Sequence, residues 1–175
     1  MQVILIAAQS LDGFITRHDT PGAAFTSAAD KAWFRTALEM FDVGVLGGVT
    51  YRAEREHFLA NRQPGRRRVV LTRQPEQYAT DAKPDVLEFT NEGPKDLAAR
   101  LRGLGHHRCA LLGGSQIHSL FLDAGLVNEL WITLEPRLFG GGTPLLAART
   151  DTSLRLLGTQ SLGGDTVLVK YAVHS

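Results

Sequence analysis

The sequence predicts an α/β sandwich with a mostly parallel central sheet and an antiparallel hairpin at its C-terminal edge. Short apolar runs, which are typical of buried strands, alternate with segments of helical periodicity along most of the chain. Near the end, residues 153–162 and 166–173 are predicted strands joined by the turn signal Gly163-Gly164-Asp165. The length of 175 residues predicts one domain over residues 1–175.

Each remaining element follows from a local pattern. Apolar runs or alternation predict strands at 3–8, 43–46, 69–71, 86–89, 109–112 and 130–134. Apolar residues spaced three and four apart predict helices over 33–41, 97–104 and 117–124. Thr26 and Ser27 are candidate caps of the first helix, and Gly125 is a candidate end of the last. Residues 16–25 are expected to form an exposed loop, long enough to cover a site.

Composition and charge exclude several classes of function. The formal net charge of +1 gives no electrostatic reason to expect binding to nucleic acid or to an acidic membrane. Residues 3–8 are too short for a signal peptide core, and no apolar run approaches a membrane span, so we expect a cytoplasmic protein. Cys109 lies in an apolar run and is expected to be a buried small side chain. The adjacent pair His106-His107 is expected at a helix end, and no metal site is predicted.

Glycine turns or a basic residue follow three predicted strands, at 47–50, 72–73 and 113–116. Because parallel strands end at one edge of a sheet, we expect these segments to lie together. A glycine turn that enters a helix lets the backbone approach a phosphate, which the helix dipole favours. The Thr72 hydroxyl and the Arg73 guanidinium suit a phosphate monoester. Together they predict NADPH as cofactor; the alternatives are ligand-free turns and a solvated Arg73.

The signatures of several other chemistries are missing from the sequence. It contains no H-x-E with a later C-x-x-C, the pattern of zinc deaminases. It also contains no G-x-S-x-G nucleophile elbow and no phosphate-binding G-x-x-x-x-G-K loop. Hydride transfer requires positioning and a proton source rather than an activated nucleophile, so a reductase is compatible with this chain.

Five segments of the chain are informative together: Ser10 to Gly13, Val45 to Thr50, Val69 to Thr72, Leu112 to Ser115 and Ala124 to Gly142. In this order and spacing they resemble the reductase domain of the bifunctional riboflavin-biosynthesis deaminase–reductases, which belongs to the dihydrofolate reductase superfamily. The resemblance covers nearly the whole chain. It implies a dihydrofolate reductase-like three-layer sandwich, NADPH as hydride donor and a homodimer. The family substrate is a phosphoribosylamino-pyrimidine whose ribose is reduced to ribitol.

The resemblance also implies roles for particular residues. Ala8 and Ile15 would line the nicotinamide pocket, and Asp12 would face the substrate. The remaining cofactor contacts would come from Gly47, Gly48, Thr50, Thr72, Arg73, Leu112, Gly113, Gly114, Ser115 and Gln116. Of these, Thr72 and Arg73 would lie at the adenosine 2′-phosphate, and residues 112–116 at the pyrophosphate. An equal alternative for Asp12 is a turn residue that bonds its own backbone. The riboflavin enzymes usually carry a glutamate before the paired glycines, where this chain has Leu112.

Two other functions stay open. Residues 30–35 resemble the helix on which dihydrofolate reductases carry their pterin-binding carboxylate, so Asp30 would bind a pterin and assist its protonation. The plain interpretation of Asp30 is a reciprocal cap with Ser27, three residues earlier. The second alternative is an NADP-binding module without catalytic activity. For the homodimer, Trp131 on an alternating strand is a candidate surface residue, and burial of Trp131 in the core is the alternative.

Overall fold

A computed structural model describes residues 1–60 and 66–174 of the chain. The strands are β1 (Gln2–Ser10), β2 (Val43–Gly47), β3 (Arg67–Leu71), β4 (Leu87–Thr90), β5 (Arg108–Gly113), β6 (Glu129–Glu135), β7 (Leu154–Gly163) and β8 (Thr166–Val173). The helices are α1 (Ala28–Leu38), α2 (Gly48–Ala53), α3 (Arg55–Ala60), α4 (Pro94–Gly103) and α5 (Ser115–Asp123), with a 3₁₀ turn at Pro75–Tyr78.

The eight strands form one sheet in the order β4-β3-β2-β5-β1-β6-β8-β7. The first six strands run parallel, while β8 pairs antiparallel with both β6 and β7. The parallel part needs helical crossovers, which the amphipathic segments supply. The C-terminal hairpin turns at Gly164-Asp165. The predicted mixed sheet with an antiparallel edge hairpin is therefore confirmed.

Helices cover both faces of the sheet. The strictly alternating side chains of β1 show this, because Val3 and Leu5 belong to one buried cluster and Ile4 and Ile6 to another. The first cluster contains apolar residues of α4 and α5 (Leu97, Leu101, Ile117 and Phe121), and the second contains those that pack from α1 (Phe34, Ala37 and Leu38). Two helical layers around one sheet make the predicted three-layer sandwich.

Two predictions about single side chains can be compared with the core. Cys109 is completely buried on β5, and burial raises the pKa of its thiol to about 12, so it is an inert core residue. Trp131 is only 5% exposed and packs against Phe41, with the Lys170 Nζ 4.0 Å from its ring centroid. Trp131 is thus a core residue of its own chain and does not supply a surface for a partner.

None of the helices in the described part of the chain combines the length and the apolar character that a membrane crossing requires.

Candidate cofactor site

A cavity of about 640 Å³ opens at the carboxyl ends of β1, β2 and β5. It brings together most of the residues that were predicted to bind the cofactor: Ala8, Ile15, Gly47, Gly48, Thr50, Leu112, Gly114, Ser115 and Gln116. Three others, Gly113, Thr72 and Arg73, are not part of its wall. The convergence follows from topology, because β1, β2 and β5 are parallel neighbours and end at the same edge.

The turn between β5 and α5 forms one side of this cavity. Gly113 and Gly114 are joined by a cis peptide bond, and Gly113 has a φ of +90°. A Cβ atom on Gly113 would lie 2.7 Å from Nε2 of His118, so a side chain there would require the buried His118 ring or the backbone to move. A Cβ atom on Gly47 would lie 2.9 Å from Cγ1 of Ile117. Both turns therefore use glycine because the ends of β2 and β5 and the start of α5 are packed too closely for a side chain.

The start of α5 can hold an anion. Gly114 is its N-cap residue and makes no side-chain cap, so the first backbone N–H groups are not bonded by a capping side chain. The Ser115 side chain is buried, and its Oγ has no partner among the residues that the structure describes. Both Gly114 and Ser115 line the cavity. Unbonded donors at the positive end of a nine-residue helix favour a phosphate group.

His118 is a buried residue of this site that the sequence prediction missed. Its Nδ1 lies 2.9 Å from the carbonyl oxygen of Leu145, so Nδ1 donates a proton and Nε2 carries a lone pair. Burial lowers the pKa of His118 to about 4, which keeps the ring neutral near pH 7. Nε2 has no partner within the described chain. A polar side chain on the apolar face of a predicted helix, next to Ile117, was the available signal.

The end of β3 forms an extension of the site beyond Gly48. A Cβ atom on Gly48 would lie 3.4 Å from the Thr72 side chain and 3.5 Å from an Arg52 guanidinium nitrogen. Arg52 also donates to the Tyr78 hydroxyl at 3.0 Å. Arg73 follows Thr72 and is exposed. Thr72 and Arg52 therefore lie beside Gly48 at the edge of the cavity, and Arg73 is the exposed residue that follows Thr72.

Asp12 lies outside the cavity wall and holds two loops together. Its carboxylate accepts hydrogen bonds from the Ser10 hydroxyl at 2.6 Å and from the backbone N–H of Phe139 at 3.0 Å and of Gly140 at 2.7 Å. These bonds, with that of Ser10 the strongest, lower the pKa of Asp12. Asp12 thus stays ionised and binds the backbone of residues 139–140.

Asp30 is buried at the start of α1 and is not part of the cavity wall. Its backbone N–H donates to Ser27 Oγ at 3.1 Å, as predicted for a cap. In a reciprocal cap the Asp30 carboxylate would accept the Ser27 N–H. In this structure the Ser27 N–H donates to Glu135 Oε1 at 2.9 Å instead. The Asp30 carboxylate instead accepts the Thr133 hydroxyl at 2.7 Å. Burial raises the pKa of Asp30, while its hydrogen bonds with Thr133 and Thr26 oppose that effect.

Comparisons with known proteins agree with this architecture. The fold is that of the dihydrofolate reductase-like class: the dihydrofolate reductase of Enterococcus faecalis, solved with NADP(H) and RAB-propyl, superposes with a TM-score of 0.71 at 17% identity, over 99% of this chain and 97% of that one. The family model described as the RibD C-terminal domain matches residues 1–168, and the chain belongs to that family.

This chain is also similar to one much longer protein and to one of similar length. The Thermotoga maritima diaminohydroxyphosphoribosylaminopyrimidine deaminase/5-amino-6-(5-phosphoribosylamino)uracil reductase superposes with a TM-score of 0.79 at 15% identity, over 99% of this chain and 56% of that chain. The uncharacterized protein YwjB of Bacillus subtilis (strain 168) is 27% identical over 168 residues, which are 93% of this chain and 92% of YwjB.

Proposed function

We propose that the protein is an NADPH-dependent reductase that transfers a hydride to a small heterocyclic molecule of the pyrimidine type, as in riboflavin biosynthesis. One observation carries this proposal: after the Gly113–Gly114 turn, the uncapped start of α5 lies in the wall of the 640 Å³ cavity. Membership of the RibD C-terminal domain family supports a reductase of this kind.

The residues present fit an extended dinucleotide phosphate. Gly114, Ser115 and the first N–H groups of α5 would hold the pyrophosphate, because they offer donors that are not bonded within the described chain. Ala8 and Ile15 would pack against the nicotinamide ring. Arg73 and Arg52 would hold the 2′-phosphate, with Thr72 as a further donor. When bound, NADPH supplies the hydride, and the chain supplies orientation and exclusion of water.

The substrate would be a phosphoribosylamino-pyrimidine or a close analogue. The T. maritima relative acts on 5-amino-6-(5-phosphoribosylamino)uracil according to its name, and this chain superposes on roughly half of that protein. The riboflavin enzymes place a glutamate before the paired glycines, and this chain has the apolar Leu112 in the cavity wall. We therefore expect Leu112 to weaken contacts with the polar part of such a substrate.

The direct test is a paired assay of NADPH binding and NADPH oxidation. Binding is followed by cofactor fluorescence, and oxidation is followed by absorbance with either 5-amino-6-(5-phosphoribosylamino)uracil or dihydrofolate. We expect oxidation with the pyrimidine. Failure to bind NADPH would reject the proposal, whereas binding without oxidation of either substrate would favour a non-catalytic NADP-binding module.

Dihydrofolate reduction is the second candidate, and one observation favours it. Asp30 is a buried carboxylate whose pKa is raised by burial and which accepts the Thr133 hydroxyl, so it is the candidate proton-bearing group of this function. Turnover of dihydrofolate that is lost in Asp30→Asn, with the fold retained, would support this function. Equal turnover in Asp30→Asn would show that the Asp30 carboxylate is structural.

A further inference from the structure

Two carboxyl groups are buried together where the start of α1 meets the end of β6. Asp30 is 6% exposed and Glu135 is 1% exposed. Thr133, which donates to Asp30 Oδ1, lies two residues before Glu135 on β6, so the Thr133 and Glu135 side chains are on the same face of the sheet. Ser27 contacts both acidic residues, since its Oγ accepts the Asp30 N–H and its own N–H donates to Glu135. The two carboxyl groups therefore belong to one polar cluster.

The cluster contains two acidic groups and no cation that pairs with them. Within residues 1–60 and 66–174, neither Asp30 nor Glu135 forms an ion pair. Burial has the largest effect on the pKa of Asp30 and raises it, and the charge of Glu135 raises it further. The exposed Lys31 of α1 acts in the opposite direction and lowers the pKa of Asp30. Two buried like charges without a paired cation repel each other, which favours protonation of one of the two carboxyl groups.

The hydrogen bonds of Glu135 favour its charged form. Oε1 of Glu135 accepts the Ser27 N–H at 2.9 Å, and a backbone N–H can only donate. Oε2 accepts the Thr166 hydroxyl at 3.2 Å. Thr166 Oγ1 lies 3.0 Å from Ser27 Oγ, so the Ser27 hydroxyl donates to Thr166 while Thr166 donates to Glu135. Both oxygens of Glu135 thus act as acceptors, as in an ionised carboxylate.

The partners of the Asp30 carboxyl group are different in kind. They are the hydroxyl groups of Thr133, at 2.7 Å from Oδ1, and of Thr26. A hydroxyl group can accept as well as donate, so Thr26 can accept the proton of a neutral Asp30 while Thr133 continues to donate. A proton on Glu135 Oε1 would instead oppose the Ser27 N–H and leave that buried donor unpaired. The arrangement of donors therefore favours a proton on Asp30 and a charge on Glu135.

The cluster lies next to the cofactor cavity. In the register of β1 and β6, Thr133 pairs with Ala8 and Glu135 pairs with Ser10. Ala8 lines the cavity and is one of the residues that would pack against the nicotinamide ring. A reduction consumes one proton for each hydride, so a group that holds a proton beside this end of the cavity can affect the pH dependence of the reaction.

We propose that Glu135 is a positioning residue that keeps the proton of this cluster on Asp30. The two carboxyl groups then titrate as one pair. Glu135 stays ionised, and its charge keeps Asp30 protonated at pH values where exposed carboxyl groups have lost their protons. The pair is a property of the chain without ligand, and its link to hydride transfer rests on the proposed function.

Infrared spectroscopy of the full chain across a pH titration tests the pair without any turnover, because protonated and ionised carboxyl groups absorb at different frequencies. As the pH rises, one protonated band should remain after exposed carboxyl groups, with pKa values of about 4, have ionised. We expect this late band to be lost in Asp30→Asn. In Glu135→Gln it should disappear at a pH lower by about one unit or more, because the amide oxygen can still accept the Ser27 N–H but carries no charge. Glu129→Gln is the control, since Glu129 also lies on β6 and also accepts two side-chain donors.

A wild-type chain without a late band, or a late band that titrates equally in Glu135→Gln and the wild type, would overturn the pair. A late band that survives in Asp30→Asn would place the proton elsewhere and would also overturn it. If a variant fails to fold, isotope labelling of the aspartate carboxyl carbons in the wild type decides, since the late group must be an aspartate and not a glutamate. Failure of the reductase proposal is recognised separately, by the absence of NADPH binding or oxidation.

Discussion

At the scale of single residues, the buried His118 in α5 should make the stability of the fold depend on pH. Its pKa is about 4 in the folded chain, against about 6.5 for an exposed histidine. The unfolded chain therefore takes up the proton first, and stability is full above about pH 6.5 and is lost as the pH falls towards about 4. The loss approaches about 3 kcal/mol, from about 1.4 kcal/mol per pKa unit. Urea unfolding across this range should show a clear acid slope.

His118→Asn is the matched change for this prediction, because an asparagine amide can still donate to the Leu145 carbonyl but does not titrate. We expect the acid slope to flatten in His118→Asn and to persist in His174→Asn, which alters an exposed histidine. Equal slopes in the wild type and His118→Asn would mean that other groups cause the pH dependence.

The Gly113 position should tolerate no side chain. Alanine there combines a φ of +90° with a Cβ atom 2.7 Å from His118 Nε2. We expect Gly113→Ala to lower the free energy of unfolding by roughly 2 kcal/mol or more and to weaken NADPH binding. Gly103→Ala is the control, since nothing lies within 4 Å of its Cβ position at the end of α4. A wild-type stability and NADPH affinity in Gly113→Ala would show that the turn is not closely packed.

Cofactor choice should depend on Arg73, which follows β3, and on Arg52 of α2. Arg73→Ala is expected to weaken NADPH by about tenfold while NADH barely changes, because only NADPH carries the 2′-phosphate. Arg52 lies near Gly48 on the same side, so Arg52→Ala is the second variant. Arg68→Ala is examined next if Arg73→Ala has no effect, and Arg102→Ala, at an exposed arginine of α4 outside the cavity wall, is the control. Equal losses for both cofactors in Arg73→Ala would remove this role.

At the scale of elements, the loops 11–25 and 136–145 behave as one unit. Asp12 links them by accepting the N–H groups of Phe139 and Gly140. We expect Asp12→Ala to speed amide hydrogen exchange at residues 139–143 and to leave exchange in β1 unchanged. Asp151→Ala, at another exposed acidic residue, is the control. If exchange is equally slow in Asp12→Ala, the link is dispensable, and a direct role towards the substrate becomes the better explanation of Asp12.

At the scale of the whole molecule, the homodimer implied by the family resemblance needs a surface other than Trp131. The edge strand β7 exposes Leu154, Leu156 and Leu157, with exposed fractions of 41%, 53% and 43%. An exposed apolar edge strand is a surface on which a second copy could pack. We propose that β7 forms the dimer contact.

Sedimentation at micromolar concentration tests this proposal. The wild type should be dimeric, and Leu156→Lys should shift it to the monomer, while Leu104→Lys, at a similarly exposed leucine after α4, should not. A monomeric wild-type chain would reject the dimer, and a dimeric Leu156→Lys would place the contact elsewhere.

The sequence alone determined the features that depend on local chain chemistry. Apolar runs ending in glycine located the strands, because buried parallel strands leave no polar alternation and glycine ends them without steric cost. The Gly163-Gly164-Asp165 signal located the hairpin for the same kind of reason. The strand ends at 47–50 and 113–116 could be placed in one cavity because parallel strands end at one edge.

Only the tertiary structure decided which distant groups meet. Besides their local bonds to Ser10 and Ser27, Asp12 and Asp30 bond groups 127 and 103 residues away, and His118 bonds one 27 residues away; no local pattern encodes such pairs. The Ser27 N–H likewise bonds Glu135 rather than the aspartate three residues on. Long-range packing selects among side-chain partners that local propensity leaves equivalent, and for this reason the fold was predictable while the contacts of the site were not.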